Sequence, residues 1–379
     1  MARTLAALGA AAALLAVAAP AGAATAGDQL ESELKALVAM KGGPPGAISV
    51  VQRGDERTVY RAGYADTAEK VPPRSTDAMR MASTSKAFSG AVALSLVDLG
   101  VLSLNDTIAK WLPTLPAAWG SVTLGQALQH TSGLPDFTTD SSYLAAVGRD
   151  PRGLVLPHMR LLDYVASEPL AFPPGTDYHY SNSDNIVAAL MAEQATGQSY
   201  DRLLSLLVFA PLGMTRTSLP DGFRLPAPYI HGYDLTVSPV QDLSTALSSS
   251  IVWASGGLVS TPYDATRFIR GYVGLKLFGP ATQAQQLQLV DGHSEPTGPG
   301  VNRAGLAIFA YQTRCGLVYG HTGNYPGYTQ FMAAVPDGSR SVTFSINEQL
   351  DSARLRGTQK KVFAALRKAE ETAVCAALD

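Results

Sequence analysis

Ser83-Thr84-Ser85-Lys86 sets a hydroxyl and an amine three residues apart. On a helix, positions i and i+3 share a face, so the two groups would be neighbours. A serine hydroxyl attacks a carbonyl only once a base takes its proton. Lys86 serves as that base if burial brings its pKa from about 10.4 towards 7. A helix start also supplies unpaired backbone N–H groups and positive potential, which favour an alkoxide and a nearby oxyanion. The same spacing recurs at Ser32-Glu33-Leu34-Lys35, which reads as a solvated helix face. Spacing alone therefore also admits Ser83 as a plain helix cap.

Two further groups add to the pair. Tyr180-Ser181-Asn182 is the only Y-x-N in the chain and follows the loop Phe172-Pro173-Pro174-Gly175. A tyrosine hydroxyl can relay protons to a leaving group, and Asn182 can hold a substrate amide. Ser183-Asp184-Asn185 offers a rival S-x-N that reads as the N-cap of the next helix. Gly320-His321-Thr322-Gly323 lies near an expected strand edge, where glycine admits a close backbone and Thr322 offers a hydroxyl.

The elements that must position these groups come from both ends of the chain. Asp28–Met40 has helical periodicity, and Ala47–Gln52 and Arg57–Tyr64 read as strands around a Gly54-Asp55 turn. From Ser83 an apolar stripe through Phe88, Val92, Leu96 and Val97 predicts a helix closed by Gly100. Helices follow over 106–112, 123–130, 184–196 and 200–207, and Val208–Pro239 reads as mostly irregular. Strands return over 304–312, 316–321, 327–335 and 340–346, before a closing helix from about Asp351 to Ala377. Short connections imply antiparallel pairing. The expected fold class is α+β: an antiparallel sheet flanked by N- and C-terminal helices, with an inserted all-helical lobe. Residues 27–379 read as one catalytic domain, with a sheet lobe (27–82 and about 250–379) and a helical lobe (about 83–249).

Together these motifs resemble the serine β-lactamase and penicillin-binding protein superfamily. The Y-x-N and H-T-G forms are similar to its class C β-lactamase-like branch, and within it to secreted D-alanyl-D-alanine carboxypeptidases. Arg80-Met81-Ala82, His130-Thr131-Ser132-Gly133-Leu134-Pro135 and Ala254-Ser255-Gly256-Gly257-Leu258-Val259-Ser260 strengthen the likeness. The resemblance implies a hydrolase with Ser83 as nucleophile and Lys86 and Tyr180 moving the proton. Asn182, His321, Thr322, Gly323 and Asn324 would bind substrate, with the N–H groups of Ser83 and Asn324 as oxyanion hole. His321 stands where relatives often carry lysine, so partial charge near neutral pH is expected of it. The carboxylate-gripping arginine of carboxypeptidases has no clear counterpart. Ala307-Ile308-Phe309-Ala310 is apolar there, leaving Arg303 and Arg314 as loose candidates. A β-lactamase or esterase of the same branch is the alternative activity, and a non-catalytic ligand-binding relative is a third class. No G-x-S-x-G elbow of an α/β-hydrolase occurs.

Composition narrows the partners. The 379 residues are 46% hydrophobic and 16% charged, with a net charge of −2 and no basic run. Nucleic acid is excluded as a partner, and a peptide or β-lactam substrate, no cofactor and a monomer are expected. Residues 1–26 read as a secretory signal: Arg3, an apolar Leu5–Ala19 stretch, then Ala21-Gly22-Ala23 or Ala24-Thr25-Ala26 for cleavage. That apolar stretch is shorter than the ~20 residues a membrane span needs, so no anchor is expected. The two cysteines, Cys315 and Cys375, read as a disulfide in an exported chain rather than as two buried thiols. The six scattered histidines form no zinc signature.

Overall fold

The computed structural model describes residues 24–350 and 355–379. The signal-like segment therefore lies outside the described residues, apart from Ala24, Thr25 and Ala26. Helix α1 (Ala26–Ala39) starts with a reciprocal cap between Thr25 and Asp28 and buries Leu30, Leu34 and Leu37 along one stripe. Its Ser32 is exposed and Lys35 pairs with Glu31 at 2.6 Å, as a solvated helix face requires.

One antiparallel sheet of eight strands organises the molecule. Its strands are β1 (Gly46–Arg53), β2 (Glu56–Gly63), β3 (Val290–Asp291), β4 (Val301–Ala304), β5 (Phe309–Thr313), β6 (Gly316–Tyr325), β7 (Tyr328–Ala334) and β8 (Arg340–Ile346). The order across the sheet is β2-β1-β8-β7-β6-β5-β4-β3. The N-terminal hairpin joins the C-terminal meander through β1 and β8, with Val50 opposite Thr343. Alternation decides which side chains face which layer. Phe331 and Ala333 of β7 join the cluster under α1 and the C-terminal helix, whereas Met332 and Ala334 join the larger core on the other side.

Helix α2 (Ser85–Asp98) follows Ser83 directly and runs into that larger core. It is buried from Ser85 to Leu96, and Phe88 stacks on Phe268 at 3.6 Å. Gly100 follows its end with φ +72°, the left-handed conformation that stops a helix most cheaply with glycine. Helix α3 (Asn182–Thr196) runs against α2. Its N-cap is Ser181, whose hydroxyl accepts from Ser183 N, so the helix begins earlier than the Ser183 cap expected from sequence. Helix α4 (Pro262–Val273) packs on β7 and β8 from the helical side, and α5 (Thr358–Leu378) lies with α1 on the outer face.

Three expectations need correction. The single strand expected over 304–312 is two strands, because the chain turns through Gly305–Ile308 with Ala307 at φ +51°. Helix α4, the short helix Ser141–Arg149 and the turn of helix at Arg160–Asp163 were not anticipated. The expected start of the closing helix near 351 lies outside the described residues, and within them the helix begins at Thr358, after non-helical 355–357.

The Cα atoms of Cys315 and Cys375 are 5.2 Å apart, inside the roughly 4.4–6.8 Å that a disulfide bridges. We propose that the two are bonded in the oxidised protein. Closing the 60-residue loop is worth about 4 kcal/mol on a chain-entropy argument. Reductant is therefore expected to lower the melting temperature by several degrees, and Cys315→Ser/Cys375→Ser to do the same without reductant. Two titratable thiols in protein prepared under oxidising conditions would contradict this.

Candidate active site

The chain is anchored immediately before Ser83. Met79–Arg80 pairs with Val259–Ser260, and Arg80 is fully buried. Its guanidinium donates to Ser249 Oγ at 2.8 Å and to the carbonyls of Phe223 and Leu247 at 2.7 and 2.9 Å. Ala82 then takes φ +53°, a conformation that costs a non-glycine residue and needs this surrounding support. One tight turn, Ala82–Thr84, precedes α2, so Ser83 sits at the entry of the helix rather than in its first α turn. Gly323 of β6 crosses here: a Cβ on it would meet Met81 O, Ser83 N and Thr84 N, each at 2.9 Å. Only glycine admits this crossing, and what approaches it is the enzyme's own backbone, not the substrate expected from sequence.

Lys86 is the centre of the arrangement. It is fully buried, and its Nζ has three partners: Asn182 Oδ1 at 2.7 Å, Ser255 O at 2.8 Å and Ser83 Oγ at 3.1 Å. The amide of Asn182 is held in that orientation because its Nδ2 donates to Asp136 Oδ2 at 2.9 Å and Thr138 Oγ1 at 3.0 Å. Carbonyl oxygens only accept, so two N–H bonds of a neutral amine are spoken for. The remaining lone pair points the amine towards the Ser83 hydroxyl. Burial brings the Lys86 pKa down to about 7, against the opposing pull of Asp136, Glu295 and Asp184.

Tyr180 covers the same amine, with Nζ 4.9 Å from the ring centroid. Its hydroxyl is buried and has no hydrogen-bond partner among the described residues. Burial pushes its pKa well above the ordinary value, and the Ser83 hydroxyl only partly opposes this. Tyr180 is thus a neutral phenol at neutral pH, suited to relaying a proton and not to acting as a phenolate base. Its ring lies 4.4 Å from that of His130, whose Nδ1 meets Asp184 Oδ2 at 2.7 Å. Asp184 also accepts from Ser132 Oγ. The strings 130–135 and 254–260 noted in the sequence therefore support Tyr180 and Lys86 from behind.

The third motif is partly corrected. From His321 onwards β6 has β7 on one side only, since its pairing with β5 ends at Gly320. The open edge, with Gly323 and Asn324, faces Ser83. His321, however, is fully buried, donates from Nδ1 to Thr322 O and stands edge-on to Phe309 at 5.0 Å. Burial lowers its pKa to about 3, so it is neutral and not the partial charge expected. Thr322 Oγ1 donates to Pro296 O at 2.5 Å, facing a loop instead of the cleft. Arg303 donates to Leu289 O and Arg314 pairs with Glu371 at 3.0 Å; neither lines the cleft.

Two cavities meet at Ser83. One, about 400 Å³, is lined by Tyr180, His293, Glu295, Pro296 and Thr297. The other, about 320 Å³, is lined by Tyr143, Leu144, Val147, Ile251 and Val252. Ser83, Asn182, Asn324 and Gln349 line both. Sequence reasoning missed Asp136, His293, Glu295 and Gln349, which lie on loops with no motif of their own. No cluster of metal ligands occurs among the described residues.

With the geometry in place, likenesses to known proteins are informative. The family model described as Beta-lactamase matches residues 28–365. Penicillin-binding protein 4* of Bacillus subtilis is 25% identical over 328 residues, 81% of this chain and 69% of that protein. D-alanyl-D-alanine-carboxypeptidase/endopeptidase AmpH of Escherichia coli is 26% identical over 312 residues, 78% of this chain and 77% of that one. The crystal structure of a D-stereospecific amidohydrolase from a Streptomyces species superposes with a TM-score of 0.75 at 27% identity, covering 89% of this chain and 97% of that one.

Proposed function

This chain belongs to the Beta-lactamase family of serine hydrolases, and from that premise we propose that it cleaves amide bonds of small peptides through an acyl-enzyme at Ser83. The observation that carries the reading is the three-way bonding of a buried Lys86 with two obligate acceptors and the Ser83 hydroxyl. Ser83 Oγ bonds to the substrate carbonyl carbon while its proton passes to Lys86 Nζ. In this reading the N–H groups of Ser83 and Asn324, which line the same cleft, stabilise the oxyanion. As the C–N bond breaks, Lys86 and Tyr180 pass the proton to the departing nitrogen. Water then attacks the ester, returns a proton along the same relay and frees Ser83.

For the substrate, likeness to penicillin-binding protein 4* and AmpH supports a D-alanyl-D-alanine carboxypeptidase-like activity on peptidoglycan peptides, with penicillins acylating Ser83. A second reading, an amidase or esterase indifferent to a terminal carboxylate, is favoured by a specific observation: no Lys or Arg lines either cavity among the described residues. We place the enzyme outside the cytoplasm on the signal-like residues 1–26. No helix among the described residues is long and apolar enough to cross a membrane.

The test is a panel of a D-Ala-D-Ala peptide, its terminal amide, nitrocefin and a short-chain aryl ester. The peptide and its amide are expected to be hydrolysed at rates within about tenfold of each other, or about 1.4 kcal/mol. Neutral Lys86 is the active form, so kcat/KM should fall as pH drops through about 7, the value to which burial brings the amine. A profile flat from pH 5.5 to 9 would contradict Lys86 as base. A preference of about 10³ for the peptide acid, some 4 kcal/mol, would reveal a dedicated carboxylate site.

A further inference from the structure

The two halves of the cleft differ in which side of the scissile bond they serve. Tyr180 lines the cavity with Glu295 and His293 but not the other. The group that receives Tyr180's proton is the departing amine, so the Tyr180 side is the leaving-group half. The opposite half, walled by Tyr143, Leu144, Val147, Ile251 and Val252, is apolar and holds the acyl group.

Glu295 is the one carboxylate lining the leaving-group half among the described residues. Its side chain is exposed and has no salt bridge or hydrogen bond among the described residues. Its backbone, by contrast, is pinned on both sides. Tyr178 OH donates to His293 O at 2.6 Å, Tyr311 OH to Ser294 Oγ at 3.0 Å, and Thr322 Oγ1 to Pro296 O at 2.5 Å. Arg367 donates to Thr297 O just beyond. A carboxylate without a partner, on a fixed stretch of backbone and in the same cavity as the nucleophile, offers an ammonium group a charge-assisted hydrogen bond at the cost of ordering one side chain.

We propose that Glu295 receives an ammonium group on the leaving-group side of the scissile amide, so that the enzyme favours departing amines with a second, cationic nitrogen over those with a carboxylate. The inference rests on the acyl-enzyme reading and favours the amidase over the carboxypeptidase as its substrate class, because the D-alanine that a carboxypeptidase releases carries the carboxylate that Glu295 repels. The charged and titratable groups near Glu295 are Lys86, His293, His179, Asp136, Tyr178 and Tyr180. Desolvation holds its carboxyl above the ordinary range, so the comparison belongs at pH 8 and low ionic strength.

The experiment uses one acyl group, N-acetyl-D-phenylalanyl, joined to ethylenediamine, glycinamide or glycine. These place an ammonium, a neutral amide or a carboxylate at the same distance from the departing nitrogen. Wild-type kcat/KM is expected to follow the order ammonium, amide, carboxylate, with at least about tenfold between the ends, or about 1.4 kcal/mol. Glu295→Gln, checked by thermal melting, should compress that span to about threefold or less, some 0.6 kcal/mol. Benzylpenicillin carries a carboxylate next to its departing nitrogen, so Glu295→Gln should also be acylated faster than wild type. A flat or reversed wild-type order, an order unchanged by Glu295→Gln, or no gain in penicillin acylation overturns the inference while Ser83 labelling leaves the acyl-enzyme reading standing. Neither turnover nor Ser83 labelling in the wild type overturns both.

Discussion

Ser83→Ala is expected to lower turnover of every hydrolysed substrate by on the order of 10⁴-fold or more, with binding largely retained. The loss is large because the variant removes the atom that forms the bond, while Lys86 and Tyr180 remain beside an empty place. What survives is whatever the oxyanion-hole groups and substrate positioning contribute to attack by water. The fold should persist: Ser83 is half-buried and offers Lys86 only its third partner, and Asn182 Oδ1 and Ser255 O still hold the amine. Thermal melting near that of wild type, with turnover lost, is the expected result. Activity within tenfold of wild type would mean that another group is the nucleophile.

Lys86→Met and Tyr180→Phe are each expected to cost on the order of 10²-fold or more in kcat/KM. The double variant should cost far less than the product of the two. The reason is geometric. Lys86 takes the proton from Ser83, and Tyr180, a neutral phenol with its ring 4.9 Å from Nζ, only relays it. Once the base is gone the relay has nothing to carry, and groups that act as a unit lose their effects together. Tyr180→Phe keeps the ring against His130 and Lys86 and removes only the hydroxyl. Lys86→Met leaves two buried acceptors unpaired at about 1–3 kcal/mol each, so its folding must be measured alongside its rate. Independent, multiplicative losses would contradict a shared proton path.

Much of this arrangement was legible in the residues. Ser83, Lys86, Tyr180 and Asn182 carry their chemistry in type and spacing, and the structure brings all four together. The hairpin 46–63 and the meander 316–346 were readable because short runs of strand-forming residues bounded by turn residues define them. Helix α4 was missed although its signals are present: Thr261 caps it, Pro262 opens it, and Ala265, Phe268, Ile269, Tyr272 and Val273 form one buried stripe. Arg267 and Arg270 lie on the opposite face and reach backbone carbonyls of Gly213 and Gly338. His321 and Thr322 were recognised by type, but their direction depends on the sheet and the loop at Pro296, which no local pattern encodes. Glu295 and Asp136 escaped notice for the same reason. Each is a single acidic residue in a loop, and each acquires meaning only when distant segments converge on Ser83.

The most direct test of the central claim is the site of acylation by benzylpenicillin. Trypsin cuts after Arg80 and Lys86, releasing Met81-Ala82-Ser83-Thr84-Ser85-Lys86 as one peptide. The account predicts one penicilloyl group per chain, located by fragmentation on Ser83 and formed faster at pH 8 than at pH 6, because neutral Lys86 predominates only above about pH 7. An adduct on Ser85, on Ser32 or elsewhere, or no adduct under conditions in which substrate is turned over, would contradict it.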